Sequence, residues 1–166
     1  MSEAPNLYLN HLVWLREHNR IAQTLHELNL DWDNEKVFQE TRRIIIAMWQ
    51  HITYNEYLPN VVGAKTMKKF NLFSKNDGFD DEYHENIDPS IRNGFAVGAW
   101  RFGHSQVVRE QSLLAEDYKT KTVNKLEDNF HSPHILQTNN GVNLKNYVRW
   151  LTFNSAMKID KYVLII

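Results

Sequence analysis

The chain contains no cysteine, which excludes disulfides, thiolate metal sites and cysteine nucleophiles together while leaving its compartment open. A surplus of either charge is also missing: 19 Lys and Arg oppose 20 Asp and Glu, for a formal net charge of -1. No whole-chain field would draw it to nucleic acid or an anionic membrane. Long apolar runs are absent too. The longest, Ile44 to Trp49 and Val163 to Ile166, fall far short of the ~20 residues a bilayer span requires. The opening Met-Ser-Glu-Ala-Pro-Asn has no basic stretch leading into an apolar one, so no signal peptide is read there. Gly-rich phosphate loops, His-Glu-x-x-His zinc motifs and Gly-x-Ser-x-Gly elbows do not occur, which removes support for most enzyme classes.

What is present suits a globular protein. The 166 residues are enough for one ordinary domain that buries roughly two thirds of its unfolded surface. Five Trp, seven Tyr and eight Phe suit a large core or a flat aromatic ligand.

Helical periodicity dominates. Leu9, Leu12, Val13, Leu15, Ile21, Ala22, Leu25 and Leu28 recur at three and four spacing and predict a helix over 7–28. Asp33 or Asn34 is placed to cap a second helix, expected to reach about Tyr57 before Leu58-Pro59 and Gly63 end it. As the longest and most apolar helix, it is expected at the centre of the core. Positions 65–86 read as an exposed connection, with a turn at Asn76-Asp77-Gly78 and an acidic run at Asp80-Asp81-Glu82. Asp88-Pro89-Ser90 predicts a helix running to about Val108, 109–140 reads as loop and short helix, and a last helix is expected over 143–163. No run alternates strictly between apolar and polar residues, so the architecture is expected to be mainly α, with long irregular connections.

The helix after Pro89 carries the chemistry. At α-helical spacing Val97, Trp100, Arg101, His104, Val107 and Val108 share a face, while Phe95 and Phe102 point the other way, toward the core. Gly98 and Gly103 cost about 2 kcal/mol together relative to alanine, a cost that a close-lying planar ligand would justify. A neutral imidazole at His104 can ligate haem iron, and Arg101 can pair with a haem propionate through its planar fork. Local sequence by itself still favours a partly exposed histidine and a surface arginine, because no second ligand spacing identifies a metal. His131-Ser132-Pro133-His134 has metal-like spacing but reads as a loop, and Glu17-His18 and Gln50-His51 read as solvated or hydrogen-bonded side chains on helices.

Five separated motifs change that balance. They are Leu15-Arg16-Glu17-His18-Asn19-Arg20-Ile21-Ala22, Asn29-Leu30-Asp31-Trp32-Asp33, Gln39-Glu40-Thr41-Arg42-Arg43-Ile44-Ile45, His51-Ile52-Thr53-Tyr54-Asn55-Glu56-Tyr57-Leu58-Pro59, and Asp88-Pro89-Ser90-Ile91 leading to Arg101-Phe102-Gly103-His104-Ser105. In this order they resemble the animal haem peroxidase family, which includes myeloperoxidase, lactoperoxidase and peroxidasin.

The resemblance implies a mainly helical haem-peroxidase core with positions 1–166 forming part of one domain. It implies haem b as cofactor, His104 as the proximal iron ligand and Arg101 as the partner of a propionate. Glu3, in Glu3-Ala4-Pro5, occupies the place of the glutamate that many members esterify to a haem methyl. Ala4 stands where some members carry a methionine that forms a sulfonium link, so that link cannot form. The resemblance places the distal histidine, the catalytic arginine and the calcium site before Met1, and finds no counterpart before Ile166 for the asparagine that hydrogen-bonds the proximal histidine. The chain is therefore expected to be an internal fragment holding the proximal half of a haem pocket and no catalytic residue of its own. The implied activity is reduction of hydrogen peroxide with oxidation of a halide or small organic donor, in an extracellular or secretory setting linked to oxidative stress. The alternative is a non-catalytic, truncated peroxidase-like module for haem binding or interaction.

Overall fold

In a computed structural model of the chain, residues 3–75, 77–79, 83–132 and 134–159 are described. The expected Asn76-Asp77-Gly78 turn is seen at Asp77 and Gly78, where Gly78 takes a φ of 78°, while Asn76 and the Asp80-Asp81-Glu82 run lie outside the described residues. The residues fall into two compact units, one of 15–88 and one combining 1–14 with 89–166. Helix α1, Pro5–Leu28, contributes to both.

Among the described residues of the unit of 15–88, the regular structure is helical. Its second helix, α2, covers Asn34–Ile52 and opens as its sequence predicts: the Asp33 carboxylate accepts from the Lys36 amide at 2.8 Å, which satisfies one of the otherwise unpaired first-turn donors. The expected stop at Leu58-Pro59 does not occur. A π-helical turn, Thr53–Tyr57, lets the Leu58 amide reach back five residues to the Thr53 carbonyl, and α3, Leu58–Val62, carries Pro59 in its first turn. Proline lacks an N–H and clashes with the carbonyl four residues back, and the wider turn dislocates that ladder where Pro59 enters. Gly63, at φ 78°, ends the run, and α4, Ala64–Lys69, follows within the stretch expected to be a connection, burying Met67 completely.

Helix α2 is neither the longest helix nor the centre of a core, contrary to expectation. At 19 residues it is shorter than α1 at 24, and it buries Val37 and Thr41 while Phe38, Ile44, Ile46 and Trp49 are exposed. Its apolar residues spread over more than one face, so one packed side cannot cover them all.

The main apolar cluster lies in the other unit, where Leu9 of α1 meets Leu113, Leu136, Tyr147 and Trp150. Two short helices position the site: α5, Asn93–Val97, and a 3-10 helix, Ala99–Gln106. An antiparallel hairpin follows, β1 (Glu110–Leu114) with β2 (Lys121–Lys125), in the register Glu110 with Lys125 and Leu114 with Lys121. Asp117 builds its turn by accepting the Lys119 and Thr120 amides at 2.9 and 2.8 Å, bonds that with the Thr120 hydroxyl hold its carboxyl below the usual range. A 3-10 turn (Leu126–Asn129), α6 (His134–Gln137) and α7 (Val142–Phe153) complete the unit.

Three expectations are corrected here. The hairpin was read as loop, because Gln111, Ser112 and Leu113 are consecutively buried and two of them are polar, which hides the period of two. The helix expected from Pro89 to Val108 starts at Asn93 and breaks at Gly98, whose φ of -118° and ψ of -80° leave the α region. The last helix ends at Phe153, where Asn154 turns extended and its side chain bonds the Ser155 carbonyl at 3.0 Å, a local bond that competes with helix. Positions 160–163 of that expectation lie outside the described residues. Among the described residues no helix is long and apolar enough to cross a membrane.

Candidate functional site

The 3-10 helix decides which side chains share a face. At three residues per turn, positions i and i+3 eclipse one another, so Arg101 and His104 line up, and Val107 follows as the C-cap with its amide on the His104 carbonyl. All three line one cleft of approximately 380 Å³, with Glu3, Ala4, Asn6, Leu7 and Leu126 supplying its other walls. That volume lies within the range of small-molecule and cofactor sites. Every lining residue belongs to a single unit.

The broader face expected from α-helical spacing is corrected. Val97 is exposed, and Val108 packs against the apolar cluster. Trp100 turns into a separate apolar groove with Ile91, Phe95 and Ala96. Phe95 does not point into the core: it is exposed, and its ring lies 5.6 Å from Trp100, with Phe102 meeting Trp100 edge-on at 6.5 Å.

The glycines also play different parts from the one expected. A Cβ on Gly98 would come within 2.9 Å of the Gly94 carbonyl oxygen, so this glycine serves the tight break between the two helices. A Cβ on Gly103 would meet nothing nearer than Gln106 Oε1 at 4.0 Å.

Each wall of the cleft is held separately. Glu3 is exposed, and its carbonyl accepts the His131 amide at 3.0 Å, while Ala4 and Pro5 are buried beside it. Leu126, fully buried, is set by its amide's bond to the Arg109 carbonyl at 2.9 Å. Arg109 in turn donates to Glu127 through Nε at 2.8 Å, a pair that lowers the Glu127 carboxyl and raises the Arg109 guanidinium. His104 is half-buried, its carbonyl accepts the Val107 amide, and the neighbouring Ser105 is buried with its hydroxyl on the Phe102 carbonyl at 3.1 Å. The segment after α7 returns to this helix, with the Met157 amide donating to the Gln106 carbonyl at 3.0 Å.

The three residues singled out from sequence, Glu3, Arg101 and His104, therefore meet at one cleft. Leu126, Asn6 and Leu7 were not singled out, and Leu126 carries no local signal, because it reaches the cleft only through the fold of the hairpin before it. The other histidine pairs have local roles: Ser132 Oγ hydrogen-bonds His134 Nδ1, and His18 packs on Phe38 at 5.5 Å. A larger opening of approximately 480 Å³ in the other unit contains His51, whose Nδ1 is already bonded to Asn55 at 3.1 Å.

Among the described residues no group of three or more His, Asp or Glu could hold a bare metal ion. The cleft brings one imidazole and one guanidinium together with Ala4, Leu7, Val107 and Leu126, a donor set that could hold an anionic cofactor. Within a mainly helical frame, this cleft is the candidate site for a small-molecule ligand or cofactor.

The chain belongs to the animal haem peroxidase family, whose model matches residues 1–164. It is 43% identical to the chorion peroxidase of Drosophila melanogaster over 122 residues, 74% of this chain and 15% of that protein. With the peroxidase-like protein of Margaritifera margaritifera it shares 37% over 163 residues, 96% of this chain and 20% of that protein. Among solved structures, Peroxidase A from Dictyostelium discoideum matches with a TM-score of 0.77 at 34% identity, covering 98% of this chain and 29% of that one. The chain thus spans less than a third of the length of these relatives.

Proposed function

We propose that this chain forms the proximal side of a haem pocket in an animal-type peroxidase that reduces hydrogen peroxide and oxidises a halide or a small organic donor. The observation that carries this reading is the convergence of Glu3, Arg101 and His104, from sequence positions about a hundred apart, on one cleft with apolar walls.

Haem, when bound, supplies the redox chemistry that peroxide reduction requires. The protein's own residues bind and orient it. One ring nitrogen of His104 would bind the iron, and its half-buried position would limit competition from water. Arg101, one 3-10 turn away, would pair with a propionate, while Val107 and Leu126 would supply apolar lining beside the group. Glu3 would supply the carboxylate oxygen of an ester to a haem methyl, a bond that removes one hydrogen and two electrons from the methyl, which the hydrogen peroxide of the proposed reaction would take up. The reading places positions 1–166 within one peroxidase domain, with the calcium site and the distal acid-base residues on other parts of it, and with an extracellular or secretory address.

Titration of the chain with haemin, followed by the visible absorption band, tests the assignment. A histidine-ligated spectrum that is lost in His104→Ala is expected, and Arg101→Ala should weaken binding by roughly tenfold, the scale of one charge-assisted pair. A spectrum indifferent to His104→Ala would show that His104 is not the ligand. Because O-O cleavage needs positioned acid-base and electrostatic help, the isolated chain should turn over peroxide with an aromatic donor far more slowly than an intact relative. Turnover equal to an intact relative's would refute the division of the pocket.

A further inference from the structure

We infer that His131 is a positioning residue for Glu3, acting through its backbone: its amide fixes the direction of the segment that carries the candidate cofactor carboxylate. This rests in part on the cofactor reading above, but the anchor itself stands on geometry. The His131 amide donates to the Glu3 carbonyl at 3.0 Å, joining residues that are far apart in sequence at the edge of the cleft. His131 makes this bond from a left-handed conformation, φ 55°. Residues with a Cβ seldom adopt that region, and histidine is among those that tolerate it best.

The strain has a visible origin. Asn129, buried in the preceding 3-10 turn, donates to the Lys125 carbonyl at 2.8 Å, and the Ser132 amide closes back on the Asn129 carbonyl at 3.4 Å. Between those two bonds the chain reverses, and a positive φ at position 131 points its N–H out of the turn at Glu3. The His131 side chain is exposed, so the backbone conformation and the N–H carry the contact. Ala4 and Pro5 hold the segment by burial, which fixes its depth; the bond to Glu3 fixes the peptide plane beside the Cα from which its side chain departs.

The two halves of this argument separate in one pair of variants of the full chain. His131→Pro removes the N–H and locks φ near -65°, whereas His131→Gly keeps the N–H and adopts positive φ freely. Backbone hydrogen exchange should rise roughly fivefold or more across residues 4–9 in His131→Pro, the scale of one lost backbone hydrogen bond, and remain at the wild-type rate in His131→Gly. The haemin concentration for half-saturation should rise in His131→Pro and in Glu3→Gln but stay at the wild-type value in His131→Gly, with circular dichroism unchanged in all three.

Unchanged exchange in His131→Pro would overturn the anchor. Raised exchange without any change in haemin affinity would overturn its role at the site. Equal damage from glycine and proline would show that the imidazole, not the backbone, does the positioning. If haemin fails to bind the wild-type chain, the cofactor reading falls, and the exchange measurement still decides the anchor.

Discussion

Tyr147 offers a quantitative test of how the unit that bears the cleft is held together. Its hydroxyl donates to Gln111 Oε1 inside the apolar cluster, and both residues are nearly inaccessible, at 3% and 4% exposure. Water cannot replace a lost partner at such positions, so the full desolvation penalty applies. Tyr147→Phe keeps the ring, its packing 5.5 Å from Trp150 and almost all of its volume. It leaves Gln111 Oε1 with no donor, for an expected loss of about 1–3 kcal/mol. Gln111→Met strands the Tyr147 hydroxyl instead, at a similar cost. The double variant strands neither member of this pair and loses, like Gln111→Met, the long Gln111 Nε2 bond to the Val108 carbonyl at 3.5 Å, so it should be more stable than the sum of the two losses implies by about 1 kcal/mol.

Urea unfolding followed by circular dichroism measures all four corners of this cycle. Tyr147 also carries a pH signature, because burial pushes its phenol above the ordinary value of 10.0. The folded chain therefore holds that proton more tightly than the unfolded chain. The stability linked to it is fully present below pH 10.0 and is lost as pH rises beyond that value. In Tyr147→Phe this contribution to the alkaline slope should vanish. Additive single losses, or an alkaline slope in Tyr147→Phe unchanged from the wild type, would refute the reasoning.

Two further outcomes are expected. Gly98→Ala should cost more than about 1 kcal/mol in chemical denaturation, because its Cβ would press on the Gly94 carbonyl at 2.9 Å, whereas Gly103→Ala should be neutral or stabilising by up to about 1 kcal/mol; equal effects would contradict the distinct roles of the two glycines. Asp33→Ala removes the side-chain cap of α2 and should lower stability by about 1 kcal/mol, with Asp33→Asn largely retaining it, as thermal denaturation would show.

Much of the frame was legible in the chain, for local reasons. The three-and-four spacing of α1 and the Asp33 cap of α2 depend on neighbours within one or two turns, and the structure reproduces both. The mainly helical class followed from the same periodicity. Where the reading failed, the deciding interaction was not local. Gln111 and Ser112 are polar in sequence but buried in a strand, because α7 brings Tyr147 over the hairpin to satisfy Gln111. Pro59 signals a helix end, yet the π-helical turn before it carries the chain through.

The candidate site divides along the same line. Sequence alone determined that an arginine and a histidine stand three apart beside a glycine, and the motif order determined which residues to watch. It did not determine that the segment is a 3-10 helix, and so it assigned that face six residues where Arg101, His104 and Val107 are the ones that line the cleft. Only tertiary structure brought Glu3 and His104 to one cleft, where the His131 amide bonds the Glu3 carbonyl and Leu126, which follows the hairpin, supplies a wall. Local spacing encodes direction along a helix, whereas a cleft is a property of surfaces that meet only after the chain has folded.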